Sequence, residues 1–435
     1  MRLGAGFAGL LFAFVATAAT NPSPVTFTKD VARVLQKNCQ GCHRPGEAAP
    51  FSLLTYEQAR PWAKAMKEAV LLKKMPPWFA DPHYGKFSND RSLTQKEIDT
   101  IVSWADAGAP QGDANDMPPP VRFVEGWRIP PPDAVFEMPH DFEIPASGTI
   151  EYQYIVVPSG FTEDKWVRFS EARPGNRALV HHIIAFIREP GSKWLKDATP
   201  GVPFVPPKKK DGEGRDEGGQ QGDFLAGYAP GTLPVELADG QAKLVKAGSD
   251  IVFQMHYTAN GKAGKDRSKV GIVFATEPPK ERVFTLAAGN GEFKIPPGDA
   301  NYKVDSEFEM GTPVKLIGML PHMHLRGKDF EYRAVYPTGE TETILKVPNY
   351  SFSWQLSYYP VKPIVLTKGT KIECTAHYDN SPNNPSNPDA TKEVTWGDQS
   401  WDEMMLGFFD VAFDANMPLK NLFPEKKDDK KAGGD

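Results

Sequence analysis

Two hydrophobic rhythms divide the chain. Residues 31–37, 56–74 and 94–107 read as helices. Thr94-Gln95-Lys96-Glu97 opens the last with a capping-box pattern, and the spacing of Trp62, Met66 and Val70 puts all three on one face, making Met66 a core residue. From about Val135 the pattern becomes short apolar or alternating runs broken by turn residues, at 150–157, 166–169, 180–187, 314–320 and 330–336. Such runs predict strands of antiparallel sandwiches, and their recurrence from about 290 to 415 predicts a second one. Residues 113–132 hold Pro118-Pro119-Pro120 and Pro130-Pro131-Pro132 and read as a semi-stiff connector. The fold expected is multidomain: a small all-α domain at 22–112, then two all-β, jelly-roll-like sandwich domains at 133–289 and 290–419.

The two ends read differently. Arg2, an apolar run over residues 4–15 and Ala16-Thr17-Ala18 match a signal peptide, placed at 1–18. No later segment supplies about 20 consecutive apolar residues, so no membrane anchor is expected, and the protein is read as exported, to a bacterial periplasm or outside the cell. Residues 207–222 read as a charged, glycine-rich loop, and 420–435 as a charged tail. A net charge of −5 and a pI near 6.0 argue against a nucleic-acid partner.

The chemistry begins with Cys39-Gln40-Gly41-Cys42-His43, the pattern of covalent haem c attachment. The two thiols would form thioethers, and His43 would ligate the iron. A redox disulfide would want a βαβ context, and zinc lacks its other ligands here. With this motif near its first helix, the segment resembles a small class I cytochrome c. That resemblance implies Met75, ahead of Pro76-Pro77, as the sixth ligand, with His83 the rival.

Five of the nine histidines sit in three strand-like segments: His181-His182, His256 in Gln254-Met255-His256-Tyr257, and His322-Met323-His324. Histidines two apart on a strand share a face, a start on a copper or zinc site, although two surface histidines would read the same way alone. Adjacent His181 and His182 should point to opposite faces of a regular strand, so joint ligation needs a local distortion or different ring nitrogens. Met323 and Met255 read as core, Cys374 as a buried thiol, and His140 and His377 as structural or surface residues.

A His-His pair, a QxHY, an HxH and Asp402-Glu403-Met404, in that order, resemble the copper type II monooxygenases, the dopamine β-hydroxylase and peptidylglycine α-hydroxylating group. The resemblance covers about residues 133–415. It implies one copper on His181, His182 and His256, which stores an electron, and a second on His322, His324 and Met404, which binds O2 and attacks a C–H bond. Met405 is the alternative thioether. The fused haem would feed the coppers from an external donor. Only three cysteines are present, unlike the disulfide-rich animal enzymes. The peptide-amidating enzyme's carboxylate clamp falls here on Leu320, Leu406 and Phe408, which implies an apolar substrate. A haem and copper electron-transfer protein without oxygenase activity, or a copper-binding scaffold, are the alternatives.

Overall fold

The computed structural model describes residues 24–47, 49–206 and 222–425. The expected signal peptide, the expected 207–222 loop except Gly222, and the tail beyond residue 425 lie outside them. The described chain is mostly β-sheet with few helices.

The N-terminal stretch holds the short helices Ala32–Asn38, Tyr56–Ala59, Ala63–Leu71 and Gln95–Asp106 around a core containing Phe27, Leu35, Ile101 and Trp104. The single helix expected over 56–74 is interrupted by a 3-10 turn at Arg60–Trp62, because Pro61 has no amide hydrogen to donate back along a helix. Trp62 consequently leaves the Met66 and Val70 face, is 40% exposed and stacks on Phe51. The Thr94 and Glu97 capping box is formed. The helical region also does not close on itself: Trp78 and Phe79 pack on the second β core, and Phe87 is part of it. The 113–132 connector is likewise pinned, with the backbone N–H groups of Arg128 and Ile129 donating to Glu171 Oε2.

Nine strands form one continuous sheet. Its path runs Ala134–Glu137, Lys269–Phe274, Lys165–Arg173, Gln241–Val245, Glu281–Gly289, Leu406–Asp414, Val314–His322 and Ile364–Leu366, with Val235–Glu236 on the side. One half is covered by the antiparallel sheet of Gln153–Pro158, Asp250–Tyr257, Val180–Arg188 and Asp223–Tyr228. The other half is covered by Tyr302–Glu309, Lys371–Tyr378, Gly327–Val335 and Thr341–Val347. Each pairing encloses a core: Val167, Val270 and Ile272 meet Ile183, Ala185 and Phe253, while Leu316, Phe409 and Val411 meet Phe330, Tyr332 and Cys374.

The boundary expected at 289/290 falls at the end of a strand that runs within the continuous sheet. Glu281–Gly289 pairs with Leu406–Asp414 along all nine residues and so belongs with the second half. It meets the first half through a short parallel contact, Glu281 to Gln241 and Arg282 to Ala242. A single strand's alternation says which face is buried but not which neighbour it will pair with.

Candidate metal centres

His181 and His182 enter on the strand Val180–Arg188, and His256 sits near the end of the adjacent Asp250–Tyr257. His182 lies directly opposite His256, and the register slips between Val180 and His182. His181 is therefore the extra residue of a β-bulge, which re-aims its side chain. This supplies the distortion that adjacent ligands require. One nitrogen from each of the three rings falls within 4.8 Å of the others. The Nδ1 atoms of His181 and His182 are 3.2 Å apart, and His256 Nδ1 is buried without a hydrogen-bond partner. Tyr152 stacks on His256 at 4.6 Å between centroids and fixes its plane.

The second pair lies at the end of Val314–His322. The strand stops at His322, so His324 sits in the following turn; the two rings are 5.2 Å apart and perpendicular. Their Nδ1 sides are occupied: His322 by Gln355 Oε1 at 2.9 Å, His324 by the Asp402 carbonyl at 3.3 Å. Each ring is left with Nε2 to offer a ligand, and His324 Nε2 is buried and unpartnered. A buried polar atom with no partner calls for an explanation, and a metal ion is one.

Asp402-Glu403-Met404 wraps this turn. Glu403 is fully buried, and its carboxylate accepts from the backbone N–H of His324 at 2.8 Å and of Arg326 at 2.6 Å. Burial pushes its carboxyl up to about 8, against the opposing pull of those amides and Arg326. The Met404 carbonyl accepts from Tyr378 OH, two residues before Leu406, which stands opposite His322. Met405 is fully buried in the second core, whereas Met404 is half-buried. Met323, Met255 and Cys374 are buried as expected, and His377 bonds Asp329.

The two histidine groups are neighbours. The Phe352 ring stacks on His181 at 5.1 Å and meets His324 edge-on at 5.8 Å. A cavity of about 340 Å³ is lined by both His182 and His322. Its wall includes Leu320, Leu406 and Phe408, the positions where the carboxylate clamp is absent. Such a volume suits a small organic ligand.

Burial lowers the pKa of all five histidines, and mutual repulsion adds to this for His182, His256 and His324. Neutral imidazole is the form that binds metal. His256 falls from 6.5 to about 3. The unfolded chain then binds a proton below about pH 6.5 that the folded chain refuses, so stability is lost as pH falls through that window. For the metal-free protein, this one group is expected to cost about 2 kcal/mol at pH 5. Urea unfolding at pH 7 and pH 5 checks this: the drop should shrink in His256→Gln, and an equal drop in the variant would refute it.

At the N-terminal end, Cys39 to His43 form one tight turn, with the His43 N–H donating to the Cys39 carbonyl at 2.9 Å. Burial pushes the Cys39 thiol up to about 12 and raises Cys42 as well. His43 Nδ1 lies 3.3 Å from the Phe51 carbonyl, leaving Nε2 as a donor for iron. Met75 is held beside the helix Ala63–Leu71 by its N–H to the Ala69 carbonyl. His83 is exposed and bonded to Asp81 on the segment docked against the second β core. Glu47, in the loop after His43, pairs with Arg177 at 2.6 Å, four residues before His181.

Sequence reasoning missed Gln355, Phe352 and Tyr152, whose roles arise from contacts distant in the chain. Glu403 belongs to the Asp402-Glu403-Met404 motif, but its carboxylate turning back onto the His324 amide is a contact across 79 residues that the motif does not encode.

No protein-family model matches the chain, and no curated protein matches it. Among solved structures it is similar to that of the infectious bursal disease virus Gx strain at 10% identity and a TM-score of 0.18, over 66% of this chain and 73% of the other. It is also similar to PBCV-1 VP54, fitted into a reconstruction of the virophage Sputnik, at 9% identity and a TM-score of 0.21, over 68% and 100%. Scores this low carry no argument about function.

Proposed function

We propose that the protein is a copper-dependent monooxygenase that hydroxylates a C–H bond of a small apolar substrate, with electrons arriving from an external donor through a covalently bound haem c. Overall, R–H, O2, two electrons and two protons become R–OH and water. The observation that carries this reading is that His182 and His322, one from each histidine group, line the same apolar cavity.

The donor sets suit copper. Three imidazoles at one centre, and two imidazoles plus the Met404 thioether at the other, can serve both Cu(II) and Cu(I), and zinc rarely takes methionine. Bound copper would supply one-electron redox chemistry and a site for O2. The chain's own residues set the stage for it. Gln355 and the Asp402 carbonyl occupy the Nδ1 sides of His322 and His324, which leaves each Nε2 as the atom that would hold a copper ion. Glu403 locks the turn that carries His324. Leu320, Leu406 and Phe408 present no charge to the substrate and displace water from the reacting end. Cys39, Cys42 and His43 would anchor the haem, with Met75 as sixth ligand and His83 as its rival. The Glu47–Arg177 pair ties the haem-binding loop to the strand of the first centre. The signal-like N-terminus supports function in a bacterial periplasm or outside the cell.

A relay without oxygenation is the second reading. It draws on Phe352, whose ring touches a histidine of each group. Oxygen uptake coupled to product formation separates the two.

Metal analysis of the matured protein should return two coppers and one haem, and Met404→Ala should weaken one copper without touching the haem. Haem without copper, or copper indifferent to Met404→Ala, would sink the assignment of the second centre.

A further inference from the structure

The floor of the cavity is ordered in ranks. Across the three central strands, Gly289, Leu406 and His322 stand in one register; Ala287, Phe408 and Leu320 in the next; Thr285, Asp410 and Gly318 in the third. Side chains two apart on a strand share a face, so all three ranks face one way, and the residues named here line the cavity except Gly289. The floor therefore runs from a candidate metal ligand, over an apolar rank, to a carboxylate. Asp410 lies four residue steps beyond Leu406, about 13 Å at a strand's rise.

The carboxylate is held from behind. Lys243 and Asp223 form a buried ion pair at 3.1 Å, and Lys243 Nζ also donates to Thr285 Oγ1 at 3.1 Å. The Thr285 hydroxyl in turn donates a hydrogen bond to Asp410 Oδ1 at 2.5 Å. Asp410 Oδ2 lies over Gly318: a methyl group there would sit 3.2 Å from it, so glycine leaves the space that this oxygen uses. Lys243 is already engaged by Asp223, and Asp410 meets this network through a neutral hydroxyl, which leaves it acceptor capacity.

We propose that the cavity selects an elongated apolar molecule with a hydrogen-bond-donating head, an ammonium or a hydroxyl, received by Asp410. The body lies over Ala287, Phe408 and Leu320, and the far end reaches His322. The orientation at His322 rests on the monooxygenase reading; the binding selectivity does not. A carboxylate head is rejected, because it would meet Asp410 with like charge.

Calorimetric titration of the full haem- and copper-loaded protein with octylamine, 1-octanol and octanoate tests this. Octylamine and 1-octanol should bind at least tenfold more tightly than octanoate, and an advantage of one over the other identifies the head group. Asp410→Asn should lower octylamine affinity about tenfold and narrow its advantage over octanoate. Leu320→Phe, which fills the middle rank, should weaken octylamine and 1-octanol alike and so locates binding in the cavity. Octanoate binding as well as octylamine, or an unchanged ratio in Asp410→Asn, would overturn the assignment. Where turnover occurs, oxygen should enter toward the methyl end; entry beside the head group would overturn the orientation. Binding in this order without turnover would leave Asp410 standing and remove the monooxygenase reading. Hydroxylation of octanoate would do the reverse.

Discussion

His182→Ala is expected to remove one copper, leave the haem, and lower hydroxylation by more than the ~10–100-fold that loss of a mere supporting contact costs a metal site. His182 is the hinge point of the first group in geometric terms: it stands opposite His256, its Nδ1 is 3.2 Å from that of His181, and it reaches the cavity. Among the described residues, the cluster is made of His181, His182 and His256 alone, with no carboxylate or thiol in it to take the place of His182. Copper analysis and oxygen uptake on the same preparation check the expectation, and an unchanged haem spectrum shows that the variant has folded. Two tightly held coppers in the variant would remove His182 from the ligand set.

Glu403→Ala should have the largest effect on stability. It strands two buried backbone N–H groups, those of His324 and Arg326, each worth about 1–3 kcal/mol when left unpaired. A loss of about 4 kcal/mol is expected, read as a lower urea midpoint. The second copper should also bind about 10–100-fold more weakly, because the turn carrying His324 loosens. Glu403→Gln should cost about half as much, since its amide nitrogen cannot accept the second N–H. Equal stability in all three proteins would show that the carboxylate does not hold the turn.

Much of this arrangement can be read from residue order alone, and some cannot. The change from helical spacing to short strands is visible because it depends on local alternation. The convergence of His181 and His182 is not, since one inserted residue in the Val180–Arg188 ladder decides it, and bulges leave no mark in an apolar run. Met66 follows its helical spacing into the core, while Trp62 does not, because Pro61 interrupts the helix between Ala59 and Ala63. The pairing of the strand Glu281–Gly289 is hidden in the sequence for a different reason. Its partner, Leu406–Asp414, lies more than a hundred residues further on, and pairing over that distance is set by the whole core. Asp410 could be noted as an acid in an apolar strand, but its place in a row with Thr285 and Gly318 exists only once that pairing is made.

The continuous sheet also bears on how a ligand gets in. Parting the two halves would undo the parallel contact of Glu281 and Arg282 with Gln241 and Ala242. It would also pull Thr285 from Lys243 and Asp223, breaking one hydrogen bond to each member of an ion pair that itself stays in the first half, and hydrogen bonds to charged groups contribute about 1.5–3 kcal/mol each. At about 4.1 kcal/mol an opened form would be present roughly once per thousand molecules. Traffic through wholesale separation of the halves would thus be throttled by its own rarity. The practical doorway is the cavity's mouth, and admission becomes a matter of side-chain breathing at its rim.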